Sequence, residues 1–240
     1  MNCICCDSAN AKKSPATLAP FVSMRVYGRA HACYSVQCQD CGALFSDTRF
    51  NDEQARKLYA GYRDAQYMAE RMKYEPGYSN PPAHNYVAEI EVLLELYLIY
   101  PHTLFSNILD WGGGDGSNTP FRKFGRAIYD IATQPNKPIG KYELVVCSNL
   151  LEHVAYPVET LEEIKPHIGH ILYLEIPMGP VTDRAYLDKT EWHEHITFFT
   201  EKSVEMLLRR AGLDVVGYRK HELTGAKYYT HLLMLACKKG

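Results

Sequence analysis

The feature that most constrains the fold is a short apolar stretch that leads directly into a turn rich in glycine. Residues 107–111 read Asn-Ile-Leu-Asp-Trp, and residues 112–117 read Gly-Gly-Gly-Asp-Gly-Ser. Glycine adopts left-handed backbone conformations without steric penalty, so the chain can turn sharply here and let a ligand lie against bare backbone. A brief helix over residues 119–124 follows, and unpaired N–H groups at the start of a helix attract polar ligands. The pattern predicts a strand, a ligand-binding turn and a helix.

Strands alternate with helices along the rest of the chain. After the turn, the apolar runs predict a helix at 157–164 and strands at 126–131, 142–148, 170–176, 213–218 and 229–237. Thr200 is a good N-cap for a further helix that Gly212 ends. An amphipathic helix that begins at Asn85 and ends at Pro101 precedes the turn. This alternation predicts an α/β fold whose mainly parallel sheet is covered on both faces.

The cysteines are concentrated at the N-terminus, where six of the eight fall within the first 41 residues. The sequence shows no secretion signal, and reduced thiols clustered in this way favour a metal site over disulfides. Two Cys-x-x-Cys pairs can each place two thiolates on one tetrahedral ion, so we predict structural zinc bound by Cys3, Cys6, Cys38 and Cys41. Cys5 competes with Cys6 for one ligand position, and Cys33 competes with Cys38 for another.

Turn-forming residues divide the chain in two. A polar, tyrosine-rich stretch at residues 51–73 predicts one or two short helices, and it is interrupted by Pro76, Gly77, Pro81 and Pro82. We therefore place a zinc-binding module with a helical linker at residues 1–80. The main domain is expected at residues 81–240.

The spacing of the glycines discriminates between cofactors. A dinucleotide-binding turn has Gly-x-Gly-x-x-Gly, whereas Gly112, Gly114 and Gly116 follow Gly-x-Gly-x-Gly, with Ser117 at the third dinucleotide position. An enzyme that uses a nicotinamide dinucleotide is therefore disfavoured. The segment Asp-Trp-Gly-Gly-Gly-Asp-Gly at residues 110–116 resembles the first motif of the class I S-adenosylmethionine-dependent methyltransferases.

That resemblance implies how S-adenosylmethionine is held. In the family, the acidic residue and the glycines of the first motif hold the methionine part of the cofactor, and an acid at the end of the second strand binds the ribose hydroxyls. Asp130 has the position of that acid, and a carboxylate can accept hydrogen bonds from both hydroxyls. The implied cofactor-binding residues are Asp110, Trp111, Gly112, Gly114, Gly116, Asp130, Ser148 and Asn149.

Two more segments resemble the same family in the same order. Residues 142–154, which contain Leu-Glu-His, resemble the fourth strand and the loop after it, and residues 213–238 resemble the closing strand pair. The implied fold is a Rossmann-like class I methyltransferase sheet with a small N-terminal zinc-binding module.

The connection after Asp130 is short. Only eleven residues separate Asp130 from the next predicted strand, and they extend over about 36 Å at most. The family fold usually fits a helix and another strand there, and eleven residues are too few for both. We therefore predict a sheet that lacks the usual third strand and has the second strand at its edge.

A segment near the end of the main domain resembles a narrower group. Residues 192–200, Trp-His-Glu-His-Ile-Thr-Phe-Phe-Thr, resemble the Tyr-His-Glu-His segment of zinc-containing C-methyltransferases that act on nucleotide-linked keto sugars. Those enzymes also begin with two Cys-x-x-Cys pairs. They carry a further C-terminal domain beyond the point where this sequence stops, and they have tyrosine where Trp192 stands. The resemblance implies an activated sugar as the methyl acceptor, and it leaves open whether carbon or oxygen is methylated.

The same segment supplies the candidate catalytic residues. Methyl transfer needs a group that removes the acceptor's proton, and a histidine with a pKa near 6.5 suits that role at neutral pH. By resemblance, His195 is the leading base, Glu194 orients it or binds a sugar hydroxyl, and His193 ranks third. Trp192 is expected to wall the pocket, and His153 is expected to fix its loop.

Charge and hydropathy narrow the partners. Lys and Arg number 26 against 28 Asp and Glu, a net charge of −2, and no basic run is present, which argues against nucleic acid. No apolar stretch is long enough to cross a bilayer, and the first residues lack a targeting signal, so we expect a cytoplasmic protein with a small-molecule substrate. The alternative is a non-catalytic binding protein that keeps the methyltransferase fold for docking to a partner.

Overall fold

Two β-sheets and five α-helices make up the described part of the chain. A computed structural model describes residues 1–78, 106–116, 119, 125–178, 190–222 and 230–238, with side chains up to residue 220. The helices predicted at residues 85–101 and 119–124 lie outside this part, apart from Thr119.

The elements of the larger sheet agree closely with the sequence pattern, whereas the strands of the smaller sheet and the first helix were not predicted. The helices are α1 (Pro20–Tyr27), α2 (Asp52–Tyr59), α3 (Ala65–Met72), α4 (Pro157–Ile164) and α5 (Glu201–Arg210). The strands are β1 (Ala11–Leu18), β2 (Ala32–Cys38), β3 (Leu44–Ser46), β4 (Asn107–Trp111), β5 (Gly125–Tyr129), β6 (Tyr142–Ser148), β7 (Ile168–Met178), β8 (Glu191–Trp192), β9 (Thr197–Phe198), β10 (Leu213–Glu222) and β11 (Thr230–Lys238). Thr200 caps α5 as predicted, because its hydroxyl accepts from the Ser203 N–H at 3.0 Å.

The larger sheet carries the glycine turn. Its order is β10-β11-β7-β6-β4-β5. The strands β7, β6, β4 and β5 run parallel, and β11 is antiparallel to both of its neighbours. Parallel strands gather their carboxyl ends at one edge of a sheet, where α/β proteins bind ligands. The ends of β4, β5 and β6 therefore lie side by side in the Rossmann-like sheet that the sequence predicted.

The second strand of this sheet lies at its edge. In the described chain β5 pairs with β4 alone, and residues 131–141 form turns with one isolated bridge, between Asp130 and Gln134. The prediction of a sheet without the usual third strand is confirmed for these residues. A connection of eleven residues is too short for a crossover helix and a further strand.

The smaller sheet joins the N-terminal module to the histidine segment. Its order is β8-β1-β2-β3-β9, so residues 191–198 supply both of its outer strands. In a flat sheet of five strands, the two outer strands would lie about 19 Å apart. The chain from residue 192 to residue 197 connects these strands and spans about 18 Å at most. The sheet is therefore curled. The histidine segment bridges its two edges.

The described residues form two apolar cores, and the smaller sheet contributes Val36 and Phe45 to the core of the larger one. Phe21, Leu58 and Tyr67 from α1, α2 and α3 pack with Trp192 behind the smaller sheet. The core of the larger sheet includes residues from its central strands together with apolar residues of α4 and α5. The predicted boundary near residue 80 stays a prediction, although residues from both sides of it share the smaller sheet.

Candidate active site

The glycine turn packs tightly at two positions and is open at a third. Gly112, Gly114 and Gly116 all have positive φ angles. A Cβ atom on Gly112 would lie 2.9 Å from the Leu150 side chain, and one on Gly116 would overlap Ile128. No heavy atom lies within 4 Å of the corresponding position on Gly114 among the described residues. The turn therefore needs glycine on its protein side and exposes bare backbone at Gly114.

Asp110 and Trp111 lie beneath the turn. The Thr119 hydroxyl donates to the Asp110 carboxylate, which is 5% exposed. Burial raises the pKa of Asp110 to about 6. The Trp111 ring is buried beside Tyr129, with the ring centres 4.4 Å apart. The Asp110 side chain supports the turn, because a Cβ atom on Gly113 would lie 2.4 Å from its carboxyl carbon.

Asp130 lies beside the turn, at the end of β5. Its Oδ1 atom accepts from the backbone N–H groups of Ala132 and Thr133, both at 2.9 Å, and from the Thr133 hydroxyl at 3.0 Å. Thr133 and Gln134 also donate to the Gly114 carbonyl, at 3.0 and 3.2 Å. Oδ2 makes none of these contacts, so among the described residues the loop is held through one oxygen of Asp130.

Ser148 and Asn149 end the neighbouring strand β6. The Ser148 hydroxyl donates to Glu175 on β7 at 2.8 Å, and the Asn149 side-chain amide donates to the Ser148 hydroxyl at 3.0 Å. Asn149 has a left-handed backbone, with φ of 49°. The structure therefore gathers the predicted cofactor residues of β4, β5 and β6 at one edge of the sheet.

The Glu194 carboxylate is bound by an arginine that the sequence pattern did not indicate. Arg71 Nη1 and Nη2 donate to the two carboxylate oxygens of Glu194 at 2.7 and 2.9 Å. Burial alone would raise the pKa of Glu194, but the hydrogen bonds and charge of Arg71 outweigh it and lower that pKa to about 2. Glu194 is thus ionised and fixed by α3, and its carboxylate points to Arg71.

His193 belongs to the same polar network. Its Nδ1 lies 3.1 Å from Glu75 Oε1, and Arg71 Nε donates to the other oxygen of Glu75 at 2.8 Å. The His193 side chain is 39% exposed. Its surroundings are those of a surface residue that braces the segment.

His195 lies against His153. The two ring centres are 4.5 Å apart and the rings are nearly perpendicular. His153 Nδ1 lies 3.0 Å from the Glu194 carbonyl and 2.8 Å from the Tyr59 hydroxyl. Burial lowers the pKa of His153, so this imidazole is neutral at pH 7. Its contact with the Glu194 carbonyl agrees with the predicted loop-fixing role.

Glu152 is the residue whose chemistry sequence reasoning missed. Its side chain is 1% exposed, and burial raises its pKa to about 8, to which the charge of Glu175 contributes. His153 Nε2 lies 3.6 Å from Glu152 Oε1. The available signal was the Leu-Glu-His triplet, which placed a carboxylate and an imidazole in the loop after β6.

Trp192 does not wall the pocket, so that expectation was wrong. Its ring is fully buried in the core of the smaller sheet, and its Nε1–H donates to the Ser35 hydroxyl at 2.8 Å. The cause is the pairing of β8 with β1, which turns this side chain inward. The tyrosine hydroxyl that contacts His153 belongs to Tyr59 of α2.

The four predicted metal-binding cysteines come together. The sulfur atoms of Cys3, Cys6, Cys38 and Cys41 all lie within 4.8 Å of one another. Two of these separations, Cys3 to Cys41 and Cys6 to Cys38, are 3.5 Å, close to the roughly 3.8 Å between sulfurs on one zinc ion. The hydrogen bond between the Cys3 and Cys41 sulfur atoms lowers the pKa of Cys3 and raises the pKa of Cys41.

The two competing cysteines lie outside this cluster of four. Cys5 is buried beside Cys3, and Cys33 packs in the separate core of the smaller sheet. The geometry therefore favours Cys6 over Cys5 and Cys38 over Cys33.

Comparison with known proteins decides the family. Residues 59–218, two thirds of the chain, match the family described as "Methyltransferase domain". The chain belongs to this methyltransferase family. S-adenosylmethionine stays the cofactor that the glycine turn predicts for this methyltransferase. A search of curated proteins finds no match to this sequence.

Solved structures agree with the methyltransferase on the fold. The 1,6-didemethyltoxoflavin-N1-methyltransferase of Burkholderia thailandensis, with 1,6-didemethyltoxoflavin and S-adenosylhomocysteine bound, is 15% identical, with a TM-score of 0.55 over 84% of this chain and 97% of that one. An S-adenosylmethionine-dependent methyltransferase of Clostridium acetobutylicum is 12% identical, with a TM-score of 0.52 over 73% of this chain and 98% of that one. At these identities the likeness concerns the fold. None of the described helices of the methyltransferase has the length and hydropathy needed to cross a membrane.

Proposed function

We propose that this enzyme transfers a methyl group from S-adenosylmethionine to a small polar acceptor, a nucleotide-linked or otherwise activated sugar, in the cytoplasm. The observation that carries the proposal is the position of the histidine segment. Leu150, which packs on Gly112 of the glycine turn, precedes Glu152 and His153 in the same loop, and His195 contacts His153. These contacts support the proposal, because one loop connects the predicted cofactor site to the predicted base.

Several groups of this chain fit S-adenosylmethionine. The open backbone at Gly114 suits the methionine part of the cofactor, and the uncommitted Oδ2 of Asp130 suits a ribose hydroxyl. Ser148 and Asn149 flank the same edge from β6. When bound, the cofactor supplies a sulfonium that is already a strong methyl donor, so the chain's own task is alignment and proton removal.

His195 is proposed to take the proton from the acceptor. Its imidazole is held against His153, while Arg71 holds Glu194 and thereby fixes the backbone next to His195. Glu194 accordingly acts as a positioning residue, with His193 bracing the segment through Glu75. A histidine base serves an acidic C–H beside a carbonyl as well as a hydroxyl, so both carbon and oxygen acceptors remain part of the proposal.

The four cysteines are proposed to hold structural zinc. Four sulfurs at tetrahedral spacing suit zinc and leave no open position for a substrate. The Arg210 side chain of α5 donates to the Ile4 carbonyl at 3.1 Å, and the Thr200 hydroxyl donates to the Cys41 carbonyl at 2.5 Å. Zinc would therefore stabilise the N-terminal module and its attachment to α5.

Methyl transfer to defined acceptors tests the proposed function. The full chain is incubated with S-adenosylmethionine carrying a labelled methyl group and with a panel of nucleotide-linked keto sugars, nucleotide-linked sugars without a carbonyl, and free sugars. We expect S-adenosylhomocysteine and label in a nucleotide-linked sugar. Cofactor binding by calorimetry without transfer to any sugar would exclude the sugar acceptor, and transfer to a non-sugar small molecule would replace it.

A further inference from the structure

Glu152 presents a buried carboxylate without a hydrogen-bond partner. In the part of the chain that the structure describes, neither Oε1 nor Oε2 accepts a hydrogen bond, although the side chain is 1% exposed. Buried carboxyl groups are normally satisfied by hydrogen bonds or paired with a cation, because an unsatisfied polar group destabilises the fold. The Glu152 carboxyl group, which the described residues leave unsatisfied, can therefore take a ligand.

The Nε2 atom of His153 faces this carboxyl group. A carbonyl oxygen can only accept, so the 3.0 Å contact with the Glu194 carbonyl is a hydrogen bond when His153 Nδ1 carries the proton. The neutral imidazole then leaves Nε2 unprotonated, 3.6 Å from Glu152 Oε1. Metal-binding histidines are commonly oriented in this way, by donating the other ring N–H to a backbone carbonyl.

His195 completes a set of three donors. One ring nitrogen of His195, one of His153 and a Glu152 oxygen all lie within 4.8 Å of one another. Two ligands on a tetrahedral cation with bonds of about 2.1 Å are about 3.4 Å apart, so the separation of 3.6 Å already fits. The Glu152 carbonyl accepts from the N–H groups of Ile196 and Thr197 at 2.9 and 3.1 Å, which fixes the two segments against each other.

We propose that Glu152, His153 and His195 bind one divalent transition-metal cation, such as Zn²⁺ or Mn²⁺, through a carboxylate oxygen and two imidazole nitrogens. Two histidines and one carboxylate suit such cations and leave coordination positions open. The site is separate from the four cysteines, whose donors are all sulfur.

The role of the cation rests on the proposed function. An open position beside the glycine turn would take an oxygen of the acceptor, which loses its proton to water more readily next to a positive charge. For an oxygen acceptor, the O–CH₃ bond then forms as the S–CH₃ bond breaks, and the sulfonium becomes a neutral thioether. With the cation bound His195 is a ligand, and in the cation-free chain it acts as the proposed base.

Binding of Mn²⁺ to the full chain tests the site without relying on activity. Mn²⁺ prefers oxygen and nitrogen ligands to thiolates, so it discriminates against the cysteine cluster. After dialysis against citrate, the free Mn²⁺ signal in electron paramagnetic resonance is followed during titration. We expect one bound Mn²⁺ per chain, with affinity at least about tenfold lower in Glu152→Gln and in His195→Ala. The exposed residues Glu162 and His170 supply matched controls, Glu162→Gln and His170→Ala, which should bind as the wild type does.

The outcomes separate the site from the methyltransferase reaction. The cation site would be overturned if the wild type bound Mn²⁺ no more tightly than Glu152→Gln does. It would also be overturned if the control variants lost as much affinity as the ligand variants. Thermal unfolding and S-adenosylmethionine affinity, measured on each variant, identify a variant that fails to fold, and the other ligand variant then decides. Mn²⁺ binding without cofactor binding or methyl transfer would overturn the proposed function alone.

Discussion

Arg71 at the end of α3 forms a buried, two-bonded ion pair with Glu194, 123 positions further along the chain. The bonds are 2.7 and 2.9 Å long, and the side chains are 4% and 12% exposed. Arg71 also binds Glu75, which contacts His193. The N-terminal module therefore positions the segment that carries the candidate base.

Removing the arginine alone should destabilise the fold. Arg71→Met leaves Glu194 buried without its partner, and such a loss typically costs about 3 to 5 kcal/mol. The double variant Arg71→Met, Glu194→Gln removes both charges and should recover most of that loss. Urea unfolding monitored by circular dichroism measures the free energies. If the single and double variants were equally unstable, the pair would owe its effect to packing and not to charge.

The second prediction concerns Asp130 and cofactor affinity. Asp130→Asn keeps an oxygen for the turn at Ala132 and Thr133 but replaces the other carboxylate oxygen by a donor. We expect S-adenosylmethionine to bind about 1.5 to 3 kcal/mol more weakly, with unfolding stability nearly unchanged. Asp130→Ala should weaken the cofactor and loosen the loop as well. Unchanged affinity of both variants in calorimetry would refute the ribose assignment.

The third prediction is that Asp110→Asn stabilises the fold by an amount that depends on pH. Burial raises its pKa to about 6 from an ordinary 3.8, so the folded chain binds more protons than the unfolded chain in this window and stability falls as pH rises through it. Asp110→Asn lacks this penalty and can still accept from Thr119. The cofactor-free variant should be about 3 kcal/mol more stable than the wild type at pH 7.5, and about half as much at pH 5.

The same variant should bind the cofactor more weakly, because Asp110 supports the glycine turn. Asp214→Asn, at an exposed position of β10, is the control and should change neither property. Thermal unfolding at the two pH values measures the effect. A gain of equal size at both would mean that the titration of Asp110 is not its source.

His195 is expected to be essential for turnover. Loss of a general base typically slows catalysis about a hundredfold to ten-thousandfold, so His195→Ala should slow methyl transfer on that scale while S-adenosylmethionine affinity stays the same. Steady-state rates and calorimetry test the two parts. A wild-type rate for His195→Ala across pH 6 to 9 would remove His195 from the reaction.

We expect zinc binding to require four of the eight cysteines. We expect one tightly bound zinc in the cysteine cluster, and its loss in Cys38→Ser together with unfolding of the N-terminal module. Cys33→Ser, at a buried position outside the cluster, should keep the zinc. Elemental analysis of protein purified without chelator measures the content, and its absence from the wild type would rule out this site.

Local sequence signals were sufficient to predict the strands of the larger sheet. Apolar runs, the glycines of residues 112–116 and the cap at Thr200 each act over a few residues, so they predicted the strands, the turn and α5 at their observed places. The short connection after Asp130 was also a matter of chain length, and it placed β5 at the edge. The paired spacing of the cysteines likewise led to the cluster of four.

The surroundings of the histidine segment depended on contacts between distant residues. Nothing near Glu194 in the sequence indicates Arg71, and nothing near Trp192 indicates that β8 pairs with β1 and buries its ring. The Leu-Glu-His triplet contained Glu152 and His153, but their closeness to His195 arises only when the loop after β6 meets the segment between β8 and β9. The physical reason is that side-chain burial and pairing between such segments are set by the packing of whole elements, which no short stretch of sequence encodes.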